Sequence, residues 1–127
     1  MPALLTLNFD GTLTVGVGIG TTYGPGHGVW VKTGGSSIGA TTLVVLFDTF
    51  GVLTGYQRNR CLPWFNKHFN SYQGVEFMET VSCEVPFSCP DPLDPATQWN
   101  AIPQMPPGGF PVSGKRVQWR PAGTLKP

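Results

Sequence analysis

The fold class of this chain follows from the stretch LTLNFDGTLTVGV, which covers residues 5–17. Apolar residues alternate with polar or small ones on both sides of the Asp10-Gly11 pair. A period of two is that of a β-strand, and Asp-Gly between two such runs is a strong signal for a tight hairpin turn. The stretch therefore predicts a β-hairpin with an apolar face on each arm.

Further strands are indicated along the chain, separated by glycine-rich turns. Val29–Val31 and Thr41–Phe47 are apolar runs of strand length, and alternating patterns extend over residues 75–85 and 110–120. The pattern over 75–85 changes phase near Met78, where a β-bulge would accommodate the change. The sequence predicts an all-β fold, a sandwich or small barrel of about seven strands.

One short helix is expected at residues 63–70. Leu62, Phe65 and Phe69 lie at helical spacing. Pro63 suits the first turn of a helix, because the N–H that proline lacks has no partner within the helix there.

The C-terminal part of the chain is rich in proline, since ten of the 13 prolines lie in residues 86–127. Proline removes a backbone donor and fixes φ, so it interrupts regular ladders and favours extended segments. We expect a single β domain over residues 1–127. Within it, residues 86–127 are expected to form a proline-rich extended arm that ends in one strand and makes few contacts with its own core.

Charged side chains are scarce. They make up 12% of the residues, and the formal net charge is +1. Without an overall positive field the chain has little to recruit nucleic acid or an anionic membrane, so neither is expected as a partner. The first residues lack the basic segment of a signal peptide, and we expect synthesis in the cytoplasm.

Cys61, Cys83 and Cys89 are an odd number of cysteines, so at least one is unpaired within the chain. Two interpretations stay open. Buried or free thiols are favoured by the expected cytoplasmic synthesis, and one disulfide between Cys83 and Cys89, the closest pair, is the alternative.

Structural zinc prefers ligand pairs with two to four residues between them. Cys61, His68, Cys83 and Cys89 are spaced more widely, so no metal site is expected.

No catalytic constellation is visible in the sequence. The motif Asn8-Phe9-Asp10-Gly11-Thr12-Leu13 resembles the first motif of haloacid-dehalogenase-like phosphatases. Asn8, however, occupies the position of the nucleophilic aspartate, and an amide does not accept a phosphoryl group. His27 and His68 stand in no recognisable relation to a nucleophile. We therefore expect a protein that is not an enzyme, with no catalytic residues and no cofactor.

Candidate partner-binding residues come from two basic clusters, Gln57-Arg58-Asn59-Arg60 and the strand pattern over residues 115–120. Cations at alternate positions of a strand share one face and could meet an acidic partner. The alternative interpretation is a solvated strand face. The candidates are Arg58, Arg60, Arg116, Trp119 and Arg120.

A second candidate surface is a strand face without side chains, formed by Gly16, Gly18 and Gly20 at alternate positions. Glycine within a strand costs conformational entropy and is common where another backbone or an aromatic ring approaches closely. We expect close packing against this face, with an exposed weak strand as the alternative.

In composition the whole chain resembles small structural proteins of tailed bacteriophages, through its low charge, its many glycines and its proline-rich segments. The resemblance implies a virion component made in the host cytoplasm, whose partners are copies of itself in a homo-oligomer and other structural proteins of the particle. A capsid decoration (cement) protein that stabilises the shell is the main expectation, and a tail or fibre subunit is the alternative. A carbohydrate-binding β-sandwich module is a second alternative, with Trp30, Trp64, Trp99 and Trp119 as its candidate residues.

Overall fold

The structure is a computed structural model that describes residues 3–17, 23–84 and 88–117. Within these ranges the chain forms eight β-strands and no helix, which confirms the all-β prediction. The strands are β1 (Ala3–Leu7), β2 (Thr12–Val17), β3 (Tyr23–Lys32), β4 (Ile38–Phe47), β5 (Leu53–Phe65), β6 (Ser71–Ser82), β7 (Asn100–Ala101) and β8 (Phe110–Lys115).

All eight strands belong to one antiparallel sheet. β1 to β6 lie side by side in chain order, and β7 and β8 both pair with the remaining side of β6. The sheet is open, which corrects the expected sandwich or small barrel. Short connections keep each strand beside its predecessor, so the described strands form one ladder and leave none for a second layer. The ladder does not close into a barrel because β1 does not pair with β7 or β8.

The β1–β2 hairpin turns at Asp10-Gly11, as expected. Gly11 has a φ of +84°, which glycine adopts without the strain that a side chain would cause. The Asp10 carboxylate accepts hydrogen bonds from the hydroxyl and the N–H of Thr12, and these bonds hold the pKa of Asp10 below its usual value. The Asn8 side chain donates to the Thr12 hydroxyl, so the residues that resemble a phosphatase motif form a turn.

One buried apolar side chain, Val81, lies on the face of the sheet that carries Tyr56. The rest of the core lies on the opposite face, which we call the inner face. The buried side chains of the inner face are Leu13, Ile38, Thr42, Val44 and Gln57. The strand register places these positions on one side, as in the pair Val44 and Gln57. The side chains of Val15, Thr42 and Val44 converge over Gly26, where a β-carbon would collide with them. Inner-face side chains therefore cover one another without a second sheet.

The ladder between β5 and β6 is the longest in the sheet. It runs from Phe65 paired with Tyr72 to Gly55 paired with Ser82 without a shift in register. The bulge expected near Met78 is therefore wrong. The register irregularities of the sheet lie instead in β3, between Tyr23 and Gly26, and where β4 pairs with β5 near Phe47.

The helix expected at residues 63–70 is also wrong. Pro63 to Phe65 continue β5, and residues 66–70 form the turn into β6. In this turn the Phe69 N–H donates to the Asn66 carbonyl oxygen, and the Asn66 side chain accepts from the N–H of Asn70. The apparent helical spacing arises because a strand passes into a tight turn, which brings the Phe65 and Phe69 rings to a centroid distance of 5.8 Å.

The described part of residues 86–127 packs against β6, which corrects the expected extended arm. The N–H of Ile102 donates to the Met78 carbonyl, and β8 pairs with Ser71–Glu76. Proline is compatible with this pairing because β8 lies at the sheet edge, where Pro111 needs no N–H. The strand expected at the end of the segment is present as β8, and residues 118–127 lie outside the described part of the chain.

Cys83 and Cys89 form a disulfide, and Cys61 is a free thiol. The favoured expectation of unpaired thiols is therefore wrong for this pair, and the single-bridge alternative is the structure adopted. Cys83 directly follows β6, where its N–H donates to the Thr54 carbonyl. The bridge thus ties Cys89, at the start of the proline-rich segment, to the end of β6.

We expect Leu13→Ala to lower the free energy of unfolding by about 3 kcal/mol, because Leu13 is 1% exposed and its loss leaves a cavity in the inner face. Leu93→Ala is the matched control, since Leu93 is 77% exposed, and should change stability by less than about 0.5 kcal/mol. Urea denaturation followed by circular dichroism measures both values. Equal effects of the two substitutions would contradict this location of the core.

Candidate interaction surface

The face opposite the core, which we call the outer face, exposes a group of apolar side chains across β3 to β6. This outer patch consists of Val29, Val31, Leu62, Trp64 and Phe77 around Gly39. Val31 is 61% exposed, and Leu62 and Trp64 are about half exposed, at 50% and 51%. Apolar side chains this exposed and this close together are characteristic of interaction surfaces.

The outer patch is contiguous because the strand register brings its members together. Val31 pairs with Gly39 across β3 and β4, and Leu62 pairs with Val75 across β5 and β6. A β-carbon placed on Gly39 would lie 3.7 Å from Leu62 Cδ2 and 3.8 Å from Val31 Cγ2. Because Gly39 has no side chain, the surface forms a depression of about 310 Å³ at this point.

One predicted partner-binding residue, Arg60, lines this depression, and a second, Arg58, lies two residues before it on the same face of β5. Arg58 and Arg60 project from the outer face of β5, and both bind Glu79 of β6: Arg58 Nη2 lies 2.8 Å from Glu79 Oε2, and Arg60 Nε lies 2.7 Å from Glu79 Oε1. Burial opposes ionisation of Glu79, but the hydrogen bonds and charges of both arginines outweigh it and lower its pKa. One carboxylate against two guanidinium groups leaves the cluster with one net positive charge.

Aromatic rings hold both arginines in place. The guanidinium carbon of Arg58 lies 4.6 Å from the ring centre of Trp99, and that of Arg60 lies 5.7 Å from the ring centre of Phe77. Cations are attracted to the faces of aromatic rings at such distances. The Arg60 side chain remains 52% exposed at the rim of the depression, so it can contact a partner that covers the outer patch.

Of the remaining predicted residues, Arg116 lies in the described part of the chain, and it lies away from the outer patch. Arg116 is exposed and follows β8, and its N–H donates to the Asn70 carbonyl at the start of β6. Asn70 and Glu79 are nine residues apart, about 30 Å along a strand. Trp119 and Arg120 lie outside the described residues.

The glycine face is visible only at Gly16, since Gly18 and Gly20 lie outside the described residues. No atom lies within 4 Å of the position that a Gly16 β-carbon would occupy. Within the described part of the chain, nothing packs against Gly16, so the close packing expected there stays a prediction about a neighbour.

The three described tryptophans occupy different settings. The Trp30 indole N–H donates to the Asn8 carbonyl at 2.9 Å, Trp99 packs against Arg58, and Trp64 is exposed in the outer patch. The described tryptophans therefore do not form the coplanar exposed pair that typically stacks on sugar rings.

Sequence reasoning missed Glu79 as the partner of both arginines, Trp99 as the ring beside Arg58, and the outer patch as a surface. The patch had a signal in the alternation of Val29 with Val31 and of Leu62 with Trp64. Glu79 lies 21 residues from Arg58, and nothing in the sequence says that the two strands pair in this register.

The aspartates serve local structure. Besides Asp10, Asp48 accepts from the N–H groups of Phe50 and Val52. Asp91 accepts from the N–H of Leu93, and Asp94 from the N–H of Ala96, in the manner of aspartates that form turns. These carboxylates stabilise turns at exposed positions.

The inner face contains a second titratable group of side chains, Cys61, Tyr72 and Glu76. Cys61 and Glu76 are directly paired across β5 and β6. Burial raises the pKa of Glu76, and burial together with the charge of Glu76 raises the pKa of Cys61 to about 11. Burial and the two neighbouring groups also raise the pKa of Tyr72. The effect is to keep the thiol and the phenol protonated, which makes both weak nucleophiles.

The described residues contain no group of three or more His, Cys, Asp or Glu side chains placed to hold a metal ion. None of them forms a helix of the length and apolarity needed to cross a membrane.

No protein-family model, curated protein or solved structure matches this chain.

We expect Glu79→Gln to destabilise the protein by about 1–2 kcal/mol at pH 7, because it leaves Arg58 and Arg60 without their carboxylate. The figure is below the roughly 3–5 kcal/mol of a fully buried pair, since Arg60 is half exposed. A lowered carboxyl pKa stabilises the fold above the unfolded value, near 4.5, and this contribution disappears as the pH falls through the folded value. The difference between wild type and variant should therefore shrink below about pH 4.

Denaturation curves from pH 3 to pH 8 measure this difference, and Glu84→Gln is the control because Glu84 is an exposed glutamate just after β6. Comparing variant with wild type cancels the opposite pH dependence of Glu76. A Glu79→Gln penalty that is independent of pH would contradict the role assigned to the carboxylate.

For Cys61 we expect slow alkylation. With a pKa of about 11, the thiolate fraction near pH 8 is roughly 100-fold smaller than for a free cysteine. Mass spectrometry after iodoacetamide treatment should show little labelling of the folded protein, one label after denaturation, and three after denaturation with reduction. Three labels without reduction would contradict the Cys83–Cys89 bridge.

Proposed function

We propose that this chain is a structural protein without catalytic activity that works by assembling with copies of itself and with other proteins of a virus particle. The main form of the proposal is a decoration protein, which stabilises a shell by lying across neighbouring subunits. The alternative form is a subunit of a tail or fibre. In either form the protein acts by binding neighbouring proteins, and the outer patch with Arg58 and Arg60 forms the binding surface.

The observation that carries this proposal is the exposed outer patch on a sheet whose core lies on the other face. Burying an apolar side chain is worth about 25 cal/mol per Å² of surface removed from water. Val31, Leu62 and Trp64 retain half or more of their surface, so a partner that covers them gains this energy. The depression at Gly39 gives the partner a place for one apolar side chain.

The charge distribution of this surface fits a partner whose contact surface is apolar in the centre and acidic at the rim. The outer patch is apolar, and the adjoining cluster carries one net positive charge, most of it accessible through Arg60. An apolar centre with a charged rim is the usual organisation of a protein interface, in which the rim charge fixes orientation. A single acidic side chain on the neighbour would complete the pair.

Leu62→Glu tests this proposal, because it places a negative charge in the centre of the outer patch. We expect wild-type protein to assemble with increasing concentration in sedimentation velocity and light scattering. The Leu62→Glu variant should assemble at least tenfold more weakly, since desolvating a carboxylate in an apolar contact costs several kcal/mol. Negative-stain electron microscopy of the assemblies separates compact oligomers from rods, which a tail subunit would form.

Leu93→Glu is the matched control, because Leu93 is exposed to 77% outside the sheet. It should assemble like wild type. Far-UV circular dichroism confirms that both variants keep their strands. A wild-type chain that stays monomeric near 1 mM, alone and with particle proteins, would overturn the proposal.

A further inference from the structure

The two edges of the sheet differ in how they are protected. β1 forms one edge, and β7 and β8 form the other. Leu4 is 71% exposed and Leu5 is 43% exposed, so the described residues leave much of β1 open on both faces. The strand has five residues and contains neither a charge nor a proline. Edge strands of this kind are prone to pair with another chain.

The backbone groups that point outward from β1 follow from its ladder. The Asn8 N–H donates to the Thr12 carbonyl, and bonded pairs alternate with unbonded pairs in an antiparallel ladder. Leu4 and Thr6 therefore exchange hydrogen bonds with β2. Ala3, Leu5 and Leu7 direct their N–H and C=O groups away from it, so the edge presents three donors and three acceptors in a row.

The opposite edge is protected. The Arg116 N–H donates to the Asn70 carbonyl, so the same alternation points Pro111, Ser113 and Lys115 outward from β8. Pro111 has no N–H to donate, and Lys115 carries a charge, two features that discourage an added strand. β7, on the same edge, has two residues. Of the edges in the described sheet, β1 is therefore the one suited to pairing.

We propose that β1 pairs with β1 of a second copy of this chain, antiparallel, about a two-fold axis at Leu5. The inference rests on the proposed function, in which copies of the chain contact one another. In this register Leu5 faces Leu5 of the partner subunit, and Ala3 faces Leu7 of the partner subunit. All outward N–H and C=O groups are then used, which makes six hydrogen bonds and joins two eight-stranded sheets into one.

A second copy of this chain is the partner because β1 is complementary to an identical antiparallel strand. It carries no charge that would repel an identical strand. The two-fold axis puts both inner faces on the same side, so Leu5 and Leu7 extend the apolar inner face across the junction instead of meeting solvent. Because the contact uses the same strand in both copies and the other edge is protected, growth through sheet edges stops at two.

Leu5→Pro tests this pairing. The Leu5 N–H faces away from β2, so proline removes no hydrogen bond within the chain but takes away the central donors between copies. In light scattering, wild-type protein should have a mass of twice 13.7 kDa, or a whole-number multiple of that dimer mass if dimers assemble further. The Leu5→Pro variant should have half the wild-type mass and unchanged far-UV circular dichroism.

Two matched variants separate this effect from others. Leu5→Ala removes the side chain but keeps the N–H, and should retain the wild-type mass. Ser113→Pro removes an outward N–H at the opposite edge, and should also retain it. A Leu5→Pro variant with the wild-type mass, or a Ser113→Pro variant that loses half of its mass, would overturn the proposal.

Amide hydrogen exchange on the wild-type chain decides the question even if Leu5→Pro fails to fold. The Leu4 and Thr6 amides are bonded to β2 and should exchange slowly at every concentration. The Leu5 and Leu7 amides should exchange slowly in concentrated protein and at least tenfold faster after dilution into monomer.

The outcomes also distinguish this inference from the proposed function. If the protein assembles while the Leu5 and Leu7 amides exchange fast, assembly through the outer patch stands and the pairing of β1 is overturned. If a monomer takes up another protein and these amides then become protected, the edge serves a different strand, and the second copy is excluded. A monomer with fast amides under all conditions overturns both.

Discussion

Continuous backbone pairing between β5 and β6 is the constraint on which the rest of this structure depends. Eleven residues of β5 pair with β6 without a slip, and because side chains alternate, one register decides which face every residue reaches. It places Arg58 and Arg60 opposite Glu79 and Phe77 on the outer face, and Cys61 beside Glu76 on the inner one. A shift by one residue would bury both arginines and expose the thiol, so the two faces keep their characters only in this register.

The two carboxylates of β6 show how strongly the faces differ. Glu76 and Glu79 stand three residues apart on one strand, and therefore on opposite faces. Glu79 meets two guanidinium groups, and its pKa falls. Glu76 is buried beside Cys61, and burial raises its pKa. The pKa of the same residue type is thus shifted in opposite directions on the two faces.

Patterns in the sequence predicted the structural features that depend only on residues close together in the chain. The Asp10-Gly11 hairpin and the all-β class follow from residues adjacent in the chain. The helix expected at 63–70 failed because a strand running into a tight turn repeats apolar residues at the same spacing as a helix. The extended arm failed because proline excludes a central strand but not an edge strand. The Arg58–Glu79 pair and the Cys83–Cys89 bridge depend on strand register and turn geometry, which composition does not encode.

The order of the strands has a consequence for how the chain folds. From β1 to β6 each strand pairs with the one just made, so each hairpin needs only a short loop to close. Because each hairpin closes over a short loop, the first hairpins can form before the later strands have left the ribosome. β8 is the exception, since it returns to β6 past β7 and waits for the whole sheet. Synthesis from the N-terminus therefore completes the β1 edge first and the proline-containing edge last.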